Sequence, residues 1–382
     1  MVSTYVEVVM VLLLLAAPSQ GSPEFPITTE EHSQVNPAIY GHTVVWEDDR
    51  NGNSDIYGYN LETSEEFQIT TDTSDQENPA IYNRVVVWED RRQGNADIYG
   101  YDLDSHQEFQ ITTDPKQQTA PEIYENIVVW QDNRNGNSDI YGYNLETHEE
   151  FQITADESSQ HFPTVYGEIV VWEDCRNGNK DIYGYNMTTR EEFQMTSEFR
   201  DERFPIVYRD VVVWNTYPEV HPEVACTLPG RVFGKDILLS SNDPSDYGLY
   251  GYNLSTGKTF RIIKKGVSTA SALSGTLVVW TDMRDIDNPY SPTIDTDIYG
   301  YDLTSRREIQ VTTDLDRQAY PAVYDTTVVW VDYRGDNPDI YGCILTDLPE
   351  SHTFSFLGVL AAVLIVVGTL VIIFGLRKAP EY

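Results

Sequence analysis

The sequence predicts an all-β fold, a seven-bladed β-propeller closed by its own N-terminal strand, and three observations predict it. Tryptophan recurs at Trp46, Trp88, Trp130, Trp172, Trp214, Trp280 and Trp330, with the first four intervals 42 residues each and the next two 66 and 50. A fixed period of this size marks a repeat fold. Each unit reads as four short strands with no helical stretch, the content of one propeller blade. The array also begins with an unpaired fourth strand and ends on a unit that lacks one.

Within the first unit, Pro37–Tyr40 (PAIY) is short and extended, and Thr43–Trp46 (TVVW) is β-branched and aromatic. Asp55–Tyr59 (DIYGY) and Glu66–Thr70 (EFQIT) alternate with the two-residue period of strands. Polar turn residues separate them, at Gly41 and His42, at Asp48 to Asn53 and at Glu62 to Glu65. Phe25–Thr28 (FPIT) lies 42 residues before Phe67–Thr70 (FQIT), so it is a displaced fourth strand. The seventh unit runs through Asp339–Leu345 and stops after its third strand. Joining the two ends closes the ring over residues 25–345 and removes the exposed edges that invite aggregation.

Two units depart from the pattern. The fifth keeps Tyr208 and Trp214 but holds a 24-residue insertion within Asn215 to Gly248, and Thr216 and Pro218 replace the Asp and Arg found elsewhere. The sixth has Ser271 and Ser274 where Pro and Tyr are usual, and eight extra residues before Asp297.

The ends are apolar. Residues 1–21 read as a signal peptide with its core at Val6 to Ala17, although Glu7 interrupts the run and no Lys or Arg precedes it. An uncleaved anchor or a misassigned start codon are the alternatives. Residues 346–353 form a short linker, and 354–376 carry no charge over 23 residues, enough for a helix to span a ~30 Å hydrocarbon core. Arg377 and Lys378 open a tail at 377–382 that the positive-inside rule places in the cytoplasm. The expected location is the cell surface, in a single-pass topology with the propeller outside. The formal charge of -36, from 61 acidic and 25 basic side chains, excludes a nucleic-acid binder working through a basic face. Of three cysteines, Cys175 and Cys226 could pair across neighbouring units; free thiols are the other reading.

Units of the form P-x-x-Y, W-x-D-x-R-x-G-N, D-I-Y-G-Y and F-Q-I-T resemble the TolB-like propeller repeats, in particular the surface-protein branch of archaea such as methanogens. Asp55–Tyr57 with Ile69 and Thr70, Asp97–Tyr99 with Ile111 and Thr112, and Asp139–Tyr141 with Ile153 and Thr154 carry the resemblance; Gly248–Tyr250 departs from it. The resemblance implies a propeller outside the cytoplasm. It implies no single activity, since such propellers serve as binding platforms, substrate filters or lyase scaffolds.

The Asp-x-Arg pairs after each Trp are Asp48/Arg50, Asp90/Arg92, Asp132/Arg134, Asp174/Arg176, Asp282/Arg284 and Asp332/Arg334. Recurrence in six units favours structural ion pairs over ligand sites. Asp48 to Asp55 has a superficial likeness to a calcium loop, but Arg50 occupies a ligand position and no closing Glu follows. No cofactor is expected, and divalent cations only as weak surface binders. Gln34, Gln76, Gln118, Gln160 and Gln318 recur in the linkers before each first strand, with Asp72, Asp114, Asp156 and Asp314. Propeller topology puts these linkers, and both insertions, on the funnel face, where binding is expected. Tyr217, His221, Arg231 and Phe233 are candidate contacts of the insertion. Asn186 and Asn253 begin acceptor sequons for glycosylation. His106 and His148 share one repeat position on the opposite face. No G-x-S-x-G, H-E-x-x-H or Walker loop occurs.

The expectation is a non-enzymatic surface platform binding a protein, glycan or envelope polymer. An extracytoplasmic polysaccharide lyase or hydrolase and a structural surface-layer or adhesive component are the alternatives. The oligomeric state is left open.

Overall fold

In the computed structural model, residues 23–217, 248–263, 268–284 and 296–346 are described. They form seven four-stranded antiparallel sheets, six of which run in chain order from the axis outward. In blade one the strands are Gln34–Tyr40, Thr43–Asp48, Asp55–Asn60 and Glu65–Gln68. The signal-peptide stretch, most of the blade-five insertion with Cys226, His221, Arg231 and Phe233, and the whole of 354–376 lie outside the described residues. A C-terminal membrane helix is therefore not shown. Among the described residues no helix is long and apolar enough to cross a membrane.

The seventh sheet closes the ring. Its order from the rim inward is Glu24–Pro26, Asp339–Ile344, Thr327–Asp332 and Gln318–Tyr324. Phe25 pairs with Gly342 and Pro26 with Tyr341. The strand stops at Pro26, yet Ile27 and Thr28 continue the contact, since both backbone N–H groups donate to the Ile340 carbonyl at 2.8 and 3.1 Å. The Ile340 N–H donates in turn to the Thr28 hydroxyl at 2.8 Å. The internal copy is the same: Ile69 and Thr70 donate to the Ile56 carbonyl, and Ile56 N–H donates to Thr70 Oγ1. The recurrent Ile-Thr pair thus caps the third strand's orphan donor while its isoleucine enters the core.

The core is not inside blades but between them. Val45, Ile56 and Ile69 of blade one pack with Val86, Trp88 and Tyr99 of blade two. The closing junction repeats this with Ile27, Val329 and Ile340 against Val44, Trp46 and Tyr57. Six of the seven tryptophans are fully buried. Gly58 is required because a Cβ there would lie 2.6 Å from the Phe67 ring, which links D-I-Y-G-Y to F-Q-I-T.

Tyrosines at the ends of the first strands ring the axis on the face away from the linkers. Tyr208, Tyr166, Tyr124, Tyr82, Tyr40 and Tyr324 follow one another at ring-centroid distances of 4.3 to 4.8 Å. Ser274 of blade six interrupts the ring.

Candidate functional site

The Asp-x-Arg pairs build the scaffold from inside each blade. Asp48, 1 % exposed, accepts from Trp46 Nε1 at 3.0 Å, and from the Arg50 backbone N–H, Nε and Nη2 at 3.0, 2.8 and 2.6 Å. Arg50 lies over the Tyr57 ring at 4.3 Å and reaches Glu66 on the outer strand at 2.6 Å. The same Asp–Arg bonds recur at Asp90/Arg92, Asp132/Arg134, Asp174/Arg176, Asp282/Arg284 and Asp332/Arg334. Each carboxylate satisfies a buried indole and a guanidinium together, which leaves it no lone pair for a ligand. The turn between is filled by amides: Asn51 Nδ2 donates to Asp55 Oδ2 and the Tyr57 hydroxyl, and Asn53 Nδ2 to the Asp72 and Ser74 carbonyls. Among the described residues no three His, Cys, Asp or Glu side chains are grouped so as to hold a metal ion.

The repeated glutamines need correcting. Gln34, Gln76, Gln118, Gln160 and Gln318 are all 0 % exposed and do not line the funnel. Each opens its strand opposite a buried Asp, so its side chain points into the blade. There Nε2 donates to the carbonyl two residues earlier, as from Gln76 to Ser74 at 2.6 Å, and ties down the linker. Asp72, Asp114, Asp156 and Asp314 cap the same linkers by accepting from the backbone N–H two residues on. Asn186 and Asn253 also have turn-capping roles, with Oδ1 accepting from Thr188 and Thr189 N–H and from Thr256 N–H. His106 and His148 are exposed and bond Tyr101 and Tyr143 hydroxyls.

The residue between Trp and Asp, absent from the sequence-based candidates, turns out to join the blades. Glu47 accepts from Asn78 N–H of the next blade at 2.6 Å, Glu89 from Ala120 N–H at 2.7 Å, and Gln131 from Phe162 N–H at 2.6 Å. The donors are bulge residues with positive φ, near 52°. A polar residue inside an otherwise apolar second strand was the available signal.

This repeated junction changes character between blades four and five. Glu173, 0 % exposed, accepts from Phe204 N–H at 2.7 Å and from Lys180 Nζ at 2.9 Å, with Arg203 Nε at 3.7 Å. Burial raises its pKa, but the Lys180 and Arg203 charges outweigh this and hold the carboxyl below its usual range. His161, cross-strand from Glu173, is pushed down to about 4 by burial and by Lys180. Glu202 occupies the glutamine position of blade five and is 2 % exposed. Burial and the neighbouring Asp181 push its pKa up to about 9.

The same blade packs aromatic rings around the start of its first strand, and Tyr217, a candidate contact of the insertion, is buried at 3 % exposure. Arg203 lies over Phe204 at 4.8 Å and Tyr217 at 5.9 Å, and Phe204 stands 5.2 Å from Phe162. Blade seven has the counterpart, with Arg317 over Tyr333 at 4.6 Å and Tyr320 at 5.9 Å. Phe204 and Tyr320 are the strained bulge residues, with φ of 54° in both. Blades one and two hold Asn36 and Asn78 there instead.

No family model matches this chain, and no curated protein aligns with it. Solved structures do. An oligogalacturonate lyase from Vibrio parahaemolyticus superposes with TM-score 0.61 at 15% identity, over 87% of this chain and 95% of that one. A puromycin-hydrolyzing peptidase from Mycobacterium tuberculosis gives 0.61 at 11% identity, over 87% of this chain and 54% of the peptidase. TolB from Acinetobacter baumannii aligns at 0.49, 14% identity, over 71% of this chain and 63% of that one, too loosely to carry an argument.

These likenesses establish the propeller fold, and leave the archaeal surface branch without support. They also overturn the expectation of a non-enzyme. A lyase and a peptidase contain this fold, and a funnel gathers its groups from separate blades, where contiguous motifs do not register.

Proposed function

We propose that this chain is a binding platform whose funnel mouth takes an anionic partner of the cell envelope, an acidic glycan or polymer above all. The observation that carries the reading is the pair of guanidinium–aromatic faces on blades five and seven. Arg203 and Arg317 are half-buried against rings. A guanidinium backed by an aromatic ring offers charged donors to a carboxylate and a flat apolar face to a sugar ring. Export through residues 1–21 and anchoring through 354–376 belong to the same proposal.

Cleavage of the bound polymer is the second reading. Its support is the set of ionisable groups at the same junction, His161, Glu173, Lys180 and Arg203.

Calorimetric titration of the full-length chain with polygalacturonate tests both. Binding is expected, weakened about tenfold in Arg203→Ala and in Arg317→Ala, the usual cost of removing a charged contact. Undiminished binding by both variants, or equal affinity for a neutral polysaccharide of the same length, would sink the reading. New reducing ends or unsaturated products in the same mixture would separate cleavage from binding.

A further inference from the structure

One repeat position on the rim changes sign around the ring. The first residue of the outermost strand is Glu65, Gln107, Glu149 and Glu191 in blades one to four, but Lys258 and Arg307 in blades five and six. All six are exposed. None of the charged ones has an ion-pair partner among the described residues. The next residue along is used internally: Glu66, Glu150 and Glu192 each bond the arginine of their own blade. The first position stands outside that arrangement. Exposed Arg261 and Arg306 strengthen the basic sector, in a chain with 61 acidic and only 25 basic side chains.

An outermost strand leaves a row of backbone N–H and C=O groups unpaired, and like charges on it discourage pairing with a copy of itself. Two glutamate edges repel, and so do two basic edges. Charge permits only an acidic edge against a basic one. Within one molecule these edges sit on different blades of a closed ring and cannot meet.

We propose that the basic rim of blades five and six docks on the acidic rim of blades one to four of a second copy of this chain. The contact uses two different patches and leaves one of each free on every pair. It therefore propagates as a chain or closes as a ring, and does not stop at a two-fold dimer. It stands on the rim and is independent of the funnel reading. The net charge of -36 makes copies repel at low ionic strength, whereas at about 0.15 M salt screening beyond ~8 Å removes the long-range part and leaves the edge contact.

Sedimentation velocity of the full-length chain across protein concentration tests this. The wild type is expected to form concentration-dependent oligomers at about 0.15 M salt, with less association at both lower and much higher salt. Lys258→Glu with Arg307→Glu should weaken association about tenfold or more, as loss of several exposed ion pairs does. Mixing that variant with Glu149→Lys/Glu191→Lys should restore hetero-association. Near-ultraviolet circular dichroism of the buried tryptophans checks that both variants are folded. A wild type that stays monomeric, or a charge-reversed variant that associates like wild type, overturns the proposal. So does a monomeric wild type that binds dextran sulfate through Lys258 and Arg307, which would make the rim a polyanion site.

Discussion

Arg334 of blade seven and Glu24 of the N-terminal strand meet at 2.7 Å across 310 residues of chain. Arg334 holds Asp332 as every blade arginine holds its aspartate. What differs is the source of the second carboxylate. In blade one Arg50 takes it from Glu66 on its own outer strand, and in blade seven the strand, with its Glu, comes from the other end of the chain.

Glu24→Ala should lower stability by about 0.5–1 kcal/mol, the worth of a partly exposed pair. Truncation before Glu30 should cost several times more, because it also removes Ile27 from the core and the Thr28 cap from Ile340 N–H. Urea unfolding of both, with a double-mutant cycle on Glu24 and Arg334, measures the difference. A truncated chain as stable as the Glu24→Ala chain would show that the strand does not close the ring.

Asp90→Ala should destabilise by about 3–5 kcal/mol, since it strands the buried Trp88 Nε1 and the Arg92 guanidinium together. Asp90→Asn keeps an acceptor for the indole and should lose less. Thermal unfolding followed by tryptophan fluorescence reads both. Equal losses would mean that the arginine bond, and not the indole, sets the cost.

Glu202→Gln should stabilise the protein increasingly as pH rises. The folded pKa of Glu202 is raised to about 9 from an ordinary value of 4.5, so its contribution is complete below about 4.5 and is lost as pH climbs toward 9. Glutamine restores the repeat's own residue and carries no proton to lose. A gain of roughly 1–3 kcal/mol at pH 8, vanishing near pH 4.5, is expected in urea titrations at the two pH values. A gain of the same size at both would point to packing and not to protonation.

His161 works in the opposite direction. Its folded pKa is lowered to about 4 from 6.5, so stability is complete above about 6.5 and declines as pH falls toward 4. Glu173 favours its protonation, with a smaller contribution from Asp174, while Lys180 and Arg203 oppose it together with burial. His161→Val, the residue of blade one at this position, should flatten the acid limb between pH 6.5 and 4. An unchanged limb would assign the acid loss to the carboxylates.

Much of the architecture was legible because a propeller writes its geometry into repetition. The 42-residue spacing, the four-strand pattern and the displaced FPIT segment depend only on local periodicity and on which end lacks a strand. The internal partnership of Asp48 and Arg50 was legible for the same reason, as the pair recurs in six units. The glutamines misled because burial is not a local property. Gln76 lies among the acids and hydroxyls of a linker, and only its pairing with Asp90 turns it inward. The Glu47 class was passed over because its partner is a backbone N–H 31 residues away, on the next blade. Sequence by itself determined the ring, its closure and its strand order, since these follow from short-range pattern and chain order. Tertiary structure alone decided that the core lies between blades, that Glu202 is buried beside Asp181 of the preceding blade, and that Arg203 and Arg317 reach Tyr217 and Tyr333. Each of those facts is set by a neighbour contributed by a different blade or by a separate strand, and contacts of that kind leave no local signature in the chain.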